Sequence, residues 1–173
     1  MPTDAITLRP ERPSDHAEIH AFVKTAFETA KVSSGTEQDF VETLRASPGW
    51  LPDLALVAVE GGRIVGYVVL TRKTIDATSG PREVLLLAPL AVALDHRGRG
   101  LGARLTRTVL EAARAKGFDA VLLVGDPAYY GRFGFRTSTD FGIANTAGTP
   151  DIYVLMTELV PGALAGLTGT VDF

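Results

Sequence analysis

A chain of 173 residues with 46% hydrophobic and 21% charged residues has the balance of a folded globular domain with a proper core, and excludes a disordered segment. The formal net charge of −3 gives no support to a nucleic-acid or anionic-membrane partner, and the lack of cysteine excludes disulfides, thiolate metal sites and a cysteine acyl-enzyme. Met1-Pro2-Thr3-Asp4-Ala5 has no basic or apolar signal region and no run reaches transmembrane length, so the expectation is a cytoplasmic protein, one domain over residues 1–173.

Ala5 to Arg9 alternates and is halted by Pro10 and Pro13, which predicts a short first strand. Ser14 is placed to cap a helix whose Ile19, Phe22, Val23, Ala26 and Phe27 share one face. His16 and His20 lie one turn apart on it. Without a third ligand nearby they read as a solvated face rather than half a metal site. Thr36-x-x-Asp39 has capping-box spacing ahead of Phe40, Val41 and Leu44, a second helix that Ser47-Pro48-Gly49 stops. Leu54 to Glu60 and Ile64 to Leu70 are apolar on both faces, and Gly61-Gly62 between them signals a hairpin inside a covered sheet. Ile75 to Arg82 is polar and reads as a link.

The central strand follows, from Glu83 to Val92, and contains Pro89. Proline cannot donate to a ladder, so a bulge is expected there. A kink at that point would part the lower half of the strand from the next one, Ala120 to Gly125, and leave backbone groups facing a cleft. A polar link, Asp95-His96, leads to the turn Arg97-Gly98-Arg99-Gly100-Leu101-Gly102 and then to a helix. Leu101, Leu105, Val109 and Ala112 make the buried stripe of that helix, and Gly117 ends it. Asp126-Pro127 opens a short helix before Gly134, and Phe135 onward with Ile152 to Val160 reads as a final antiparallel pair. The tail, Pro161 to Phe173, carries no motif.

The glycine turn suits an anion. Its glycines let backbone approach a ligand without Cβ clashes, the first helical N–H groups and the helix dipole favour negative charge, and Arg97 and Arg99 add forked donors. A P-loop is excluded because Gly102-Ala103-Arg104 stands where Gly-Lys-Ser/Thr belongs. Gly98-x-Gly100-x-x-Ala103 matches a dinucleotide fingerprint, but five residues separate it from its strand, and Asp119 begins the next strand instead of ending it. A bare helix entry with no ligand is the plain alternative.

Arg97-x-x-Gly100-x-Gly102 behind Leu90-Ala91-Val92 resembles the acetyl-CoA turn of the GNAT N-acetyltransferases. Ala128-Tyr129-Tyr130-Gly131-Arg132-Phe133-Gly134-Phe135 resembles the short helix that supplies a tyrosine in the same family, and with the Pro161-Gly162-Ala163-Leu164 tail it is similar to the YhbS-like predicted acetyltransferases. The resemblance implies an α/β (GNAT) fold: a mixed twisted sheet of about seven strands with a splayed central pair and helices on both faces. It implies acetyl transfer from acetyl-CoA to a primary amine by direct attack in a ternary complex, with acetyl-CoA as cosubstrate and no metal. In this sequence Leu90, Ala91 and Val92 would offer backbone to the pantetheine, and Arg97, Gly98, Arg99, Gly100, Leu101 and Gly102 would hold the pyrophosphate. Tyr130 would protonate the departing thiolate. Asp126 stands where many relatives carry an asparagine that touches CoA, and reads better as a helix cap. Glu83 matches a glutamate of several relatives and is the candidate base, with Glu37 and Asp39 as others. A second class of function is a non-catalytic acyl-CoA-binding sensor or interaction module. The acceptor is not identified, and the final strands are a candidate homodimer surface.

Overall fold

The computed structural model describes residues 5–31 and 33–173. They form two compact units: Met1–Thr71 with Pro89–Ala112, and Arg72–Ala88 with Ala113–Phe173.

In the first unit, β1 (Thr7–Pro10), β2 (Ala55–Glu60) and the start of β3 (Arg63–Ala77) form an antiparallel set, with Thr7 opposite Val59 and Ala55 opposite Val69. The hairpin between β2 and β3 turns on Gly61 and Gly62, at φ 56° and 78°. Both central residues are left-handed, the geometry that lets a two-residue turn follow the twist of its strands. One face of these strands packs Ala55, Val57, Tyr67 and Val69 against Ile19 and Val23 of α1 (His16–Phe27) and Val41 and Leu44 of α2 (Glu37–Arg45). On the opposite face, a Cβ added to Gly66 would lie 2.7 Å from Leu105 and 3.1 Å from the methyl of Ala58. Small residues there let α3 (Leu101–Ala115) settle close to the strands, so this sheet is covered on both faces as its apolar pattern predicts. The buried stripe of α3 is Leu101, Leu105, Val109 and Ala113, one position later at its end than expected.

Capping differs from expectation at both early helices. Asp15, not Ser14, is the N-cap of α1; its buried carboxylate takes Arg9 at 2.7 and 3.0 Å and the amide of Arg12 at 2.7 Å. Thr36 makes no side-chain cap at α2, where Glu37 instead reaches back to Ser33 Oγ at 3.0 Å and Ser34 N at 2.8 Å.

The second unit holds the rest of β3, the first part of β4 (Gly80–Val92), β5 (Ala120–Val124), α4 (Pro127–Tyr130), β6 (Arg136–Thr137), β7 (Ile143–Asn145), β8 (Val154–Glu158) and β9 (Gly169–Val171). β4 runs parallel to β5 with Leu85 opposite Val121 and Leu86 opposite Leu122, while β8 pairs antiparallel with both β5 and β6. β9 lies parallel to β7 and antiparallel to the end of β3, with Asp76 opposite Thr170. Ile75, Val84, Leu122, Ile143, Val154, Met156, Leu164 and Val171 make its core.

Among the described residues the sheet has nine strands, two more than expected. β7 and β9 are three-residue strands, too short to show a period, and the tail read as motif-free contains β9. The supposed link Ile75 to Arg82 is strand on both sides of a turn at Thr78-Ser79. At Pro89 the strand keeps its faces: Leu85, Leu87, Pro89 and Ala91 are buried, and Leu86, Ala88, Leu90 and Val92 are half-buried. The alternation thus runs through Pro89 without the interruption a bulge would bring, and the pairing with β5 is at Leu85 and Leu86, ahead of the proline; a register shift occurs between Ala58 and Val59.

Candidate active site

The first group of candidate residues is built on the end of β4. The amide of Ala93 donates to Val65 O at 2.9 Å, and a single 3-10 turn, Leu94–His96, leads into the glycines. Gly98 and Gly100 hold φ of 71° and 81°, a region that side chains enter only with strain. No atom lies within 4 Å of a Cβ placed at either, so the space over the turn is open. The first helical bond runs from Arg104 N to Gly100 O at 3.0 Å. The amides of Leu101, Gly102 and Ala103 consequently have no carbonyl within α3 to take them, and the dipole concentrates positive potential at that end. Such a donor set fits a pyrophosphate.

Arg97 is turned to the protein. Its Nε donates to Val92 O at 3.2 Å, Nη1 to Thr29 Oγ1 at 2.9 Å and Nη2 to Ala26 O at 2.7 Å. The side chain expected to fork onto phosphate thus clasps the end of β4 and the end of α1 around the turn. Both arginines are exposed, but Arg99 makes one long bond, to Asp95 O at 3.3 Å, so its guanidinium is the less engaged of the pair. Leu90 and Val92 are half-buried and Ala91 is buried.

His96, in sequence only part of a polar link, is 4% exposed and both its ring nitrogens face carboxylates at 2.7 Å: Nδ1 the Oδ1 of Asp95, and Nε2 the Oε2 of Glu60. Those hydrogen bonds, to Asp95 first and Glu60 second, raise its pKa against the opposing effect of burial. The hydrogen bond from His96, followed by that from Arg63 at 2.9 Å, holds Asp95 down at about 2. Glu60 lies 36 residues from His96 in sequence, so no local motif signals the pair.

The second group follows β5. Asp126 accepts the amide of Ala128 at 2.9 Å and caps α4, the plainer of the two roles considered for it. Tyr130, the last residue of α4, meets Tyr129 edge-on at 4.9 Å between ring centroids and Phe135 at 5.7 Å. A Cβ added to Gly125 would lie 2.6 Å from Tyr130 Cε2, so the bare backbone of Gly125 is what admits the ring. Burial, and to a lesser extent the neighbouring Tyr129, raises the pKa of Tyr130, which keeps its O–H protonated.

Glu83 stands near the start of β4, 55% exposed, with Arg72 3.6 Å away. Glu37 is engaged at the α2 cap: burial raises its pKa, but its own backbone bond and the bonds from Ser33 and Ser34 bring it below the usual carboxylate value. Asp39 pairs with His20 at 2.9 Å, and His16 with Glu11 at 3.2 Å, so each of these histidines has its own carboxylate. Among the described residues no three His, Asp or Glu side chains converge to hold a metal ion, and no helix is long and apolar enough to cross a membrane.

The model of the acetyltransferase (GNAT) domain matches residues 7–138. The N-acetyltransferase YhbS of Escherichia coli K12 is 33% identical over 168 residues, covering 96% of this chain and 95% of that protein. The crystal structure of Escherichia coli YhbS in complex with CoA superposes with a TM-score of 0.87 at 30% identity, over 100% of this chain and 92% of the other. A GNAT family acetyltransferase from Brucella melitensis, in complex with acetyl-CoA, gives a TM-score of 0.75 at 29% identity over 91% and 90% of the two chains. The amide-lined turn that opens α3, the tyrosine helix behind Gly125 and these matches over nearly the whole length agree: the chain belongs to the GNAT family and is an acetyl-CoA-dependent N-acetyltransferase.

Proposed function

We propose that this enzyme transfers the acetyl group of acetyl-CoA to a primary amine by direct attack in a ternary complex, with the whole chain, 1–173, acting as one catalytic domain. The observation that carries the cosubstrate assignment is the start of α3, where open space over two left-handed glycines meets three amides lacking helical acceptors. The alignment with YhbS over 96% of the chain supports the single domain.

A lysine-like amine has a pKa of about 10.4 and must lose a proton before its lone pair can attack. We assign that proton to Glu83 acting through water, since its carboxylate is exposed and held beside Arg72. The amine nitrogen bonds to the carbonyl carbon, the C–S bond breaks, and the electron pair leaves on sulfur. Tyr130 supplies the proton for that thiolate and regains one, through water, as the new amide nitrogen sheds its second proton. Its burial suits the role in one respect: the O–H is retained across the neutral and alkaline range. So weak an acid first donates a hydrogen bond as charge gathers on sulfur, and the proton follows. The backbone of Leu90, Ala91 and Val92 takes the pantetheine, and Arg97 to Gly102 take the pyrophosphate, with Arg99 as the phosphate-facing arginine and Arg97 as its clasp. Asp126 caps α4. A cytoplasmic location accompanies this reading, supported by the cosubstrate it requires. Self-association would run through the final strands, where β6 ends the strand order.

Calorimetric titration with acetyl-CoA, with desulfo-CoA and NAD as controls, is the first test. Acetyl-CoA should bind and NAD should not; binding of NAD alone, or of neither, overturns the turn assignment. Thiol release with small amines, aminoglycoside-like compounds, peptide N-termini and protein lysines then reads turnover. Tight acetyl-CoA binding without turnover on any of them would favour a sensor instead.

A further inference from the structure

His96 is the least expected residue in the first unit. It is buried, it lies directly before Arg97, and its two ring nitrogens each sit 2.7 Å from a carboxylate oxygen, one of Asp95 in its own 3-10 turn and one of Glu60 in β2. A neutral imidazole has one N–H and one bare nitrogen, so one of the two contacts would set a lone pair against a carboxylate. Only the imidazolium donates at both. The carboxylates belong to Asp95, at the root of the glycine turn, and to Glu60, at the end of β2. In its charged form the ring therefore fastens the turn to the sheet.

The two carboxylates favour that form, and the guanidinium groups nearby, which oppose it, are each tied to an acceptor of their own. Besides Glu60 and Asp95, Arg63 at the start of β3 pairs with the second oxygen of Asp95 at 2.9 Å, and Arg99 donates to the Asp95 carbonyl. Arg104 of α3 lines the shallow cavity that His96 shares with Arg99 and Gly100, and its Nη1 is occupied by Ile6 O at 3.0 Å. Loss of the ring proton leaves one of the two carboxylates facing a bare nitrogen, so the ring no longer holds both ends and the fastening between the turn and β2 is weakened.

We propose that His96 is a positioning residue for the acetyl-CoA turn, acting as an imidazolium bolt between Glu60 and Asp95, so that acetyl-CoA binding takes up a proton once the solution is alkaline to that bolt. The proposal rests on the assignment of the turn to CoA given above. The sign follows from linkage. A raised pKa means that the fastening is complete below the ordinary imidazole value of about 6.5 and is lost as pH rises through the folded value. Acetyl-CoA binds the fastened turn, so affinity falls over the same interval.

The test titrates the enzyme with 3′-dephospho-acetyl-CoA, because the 3′-phosphate of CoA ionises near neutrality and would mask the effect. Calorimetry is run from about pH 6 to pH 9 in buffers of different ionisation enthalpy, which reads proton uptake directly. Affinity of the wild type should fall about tenfold across its alkaline limb, with uptake of a fraction of a proton there. Glu60→Gln removes the negative charge of one of the two partners, so its limb should move to lower pH. His96→Gln should lose the limb altogether. If His96→Gln does not fold, ring NMR of the wild type, with Glu60→Gln beside it, still reports whether His96 titrates in step with affinity. An affinity independent of pH, with no proton uptake and no displacement in Glu60→Gln, overturns the role of His96 and leaves the turn assignment standing. Absence of binding at every pH overturns the turn assignment instead, and a His96 titration shifted by Glu60→Gln would still identify the bolt.

Discussion

Tyr130 and Gly125 are matched in size: the ring occupies the place where any side chain at Gly125 would begin. Tyr130→Phe should lower kcat by about a hundredfold while leaving acetyl-CoA affinity unchanged, the scale of a lost proton donor. Gly125→Ala should give a comparable loss with the hydroxyl still present, because the ring must move; steady-state kinetics beside calorimetry separate the two effects. In the turn, Gly100→Ala meets no clash but forces a side chain into the left-handed region, at about 1–2 kcal/mol. Relaxation of the turn should weaken acetyl-CoA binding about tenfold. These residues were legible because their chemistry is local: glycines before a helix, a tyrosine after Asp-Pro. Arg97 was legible as a residue and not as a direction, since its partners Ala26 and Thr29 lie 71 and 68 residues away. His96 was passed over for the same reason.

The elements divide along similar lines. α1, α2, α3 and the β2–β3 hairpin carry their own period, caps or turn glycines, and the chain shows them in sequence. β7 and β9 do not, because three residues have no period and their strand identity comes from partners distant in the chain. Gly169 shows how tight that pairing is: an added Cβ would lie 2.3 Å from Asp76 O. Gly169→Val should therefore undo β9, lowering stability by about 1–3 kcal/mol and raising exchange of amides near the end of β3. At α2 the capping-box motif pointed to the right place and the wrong side chain. Glu37→Ala should cost about 1 kcal/mol, with Thr36→Ala close to neutral, measured by urea denaturation.

For the molecule as a whole, Asp15, with Glu37 and Asp95, acts on the acid side of the stability range and His96 on the alkaline side. The hydrogen bonds from Arg9 lower the pKa of Asp15 against its burial, aided by the amide of Arg12. Its contribution is present above the ordinary aspartate value of about 3.9 and is lost as pH falls through its lower folded value. His96 acts with opposite sign on the alkaline side. Thermal midpoints across pH should fall off at both ends; Asp15→Asn should lower the neutral-pH plateau by about 1–3 kcal/mol and flatten the acid limb only.

The chain passes between its two units three times, inside β3, inside β4 and inside α3. None of these crossings falls in a loop. A gene that diversifies this enzyme consequently has no seam between the units: exchanging either unit for a foreign one means cutting through a strand or a helix, whereas the loop between α3 and β5 separates the glycine turn from the tyrosine without following that division.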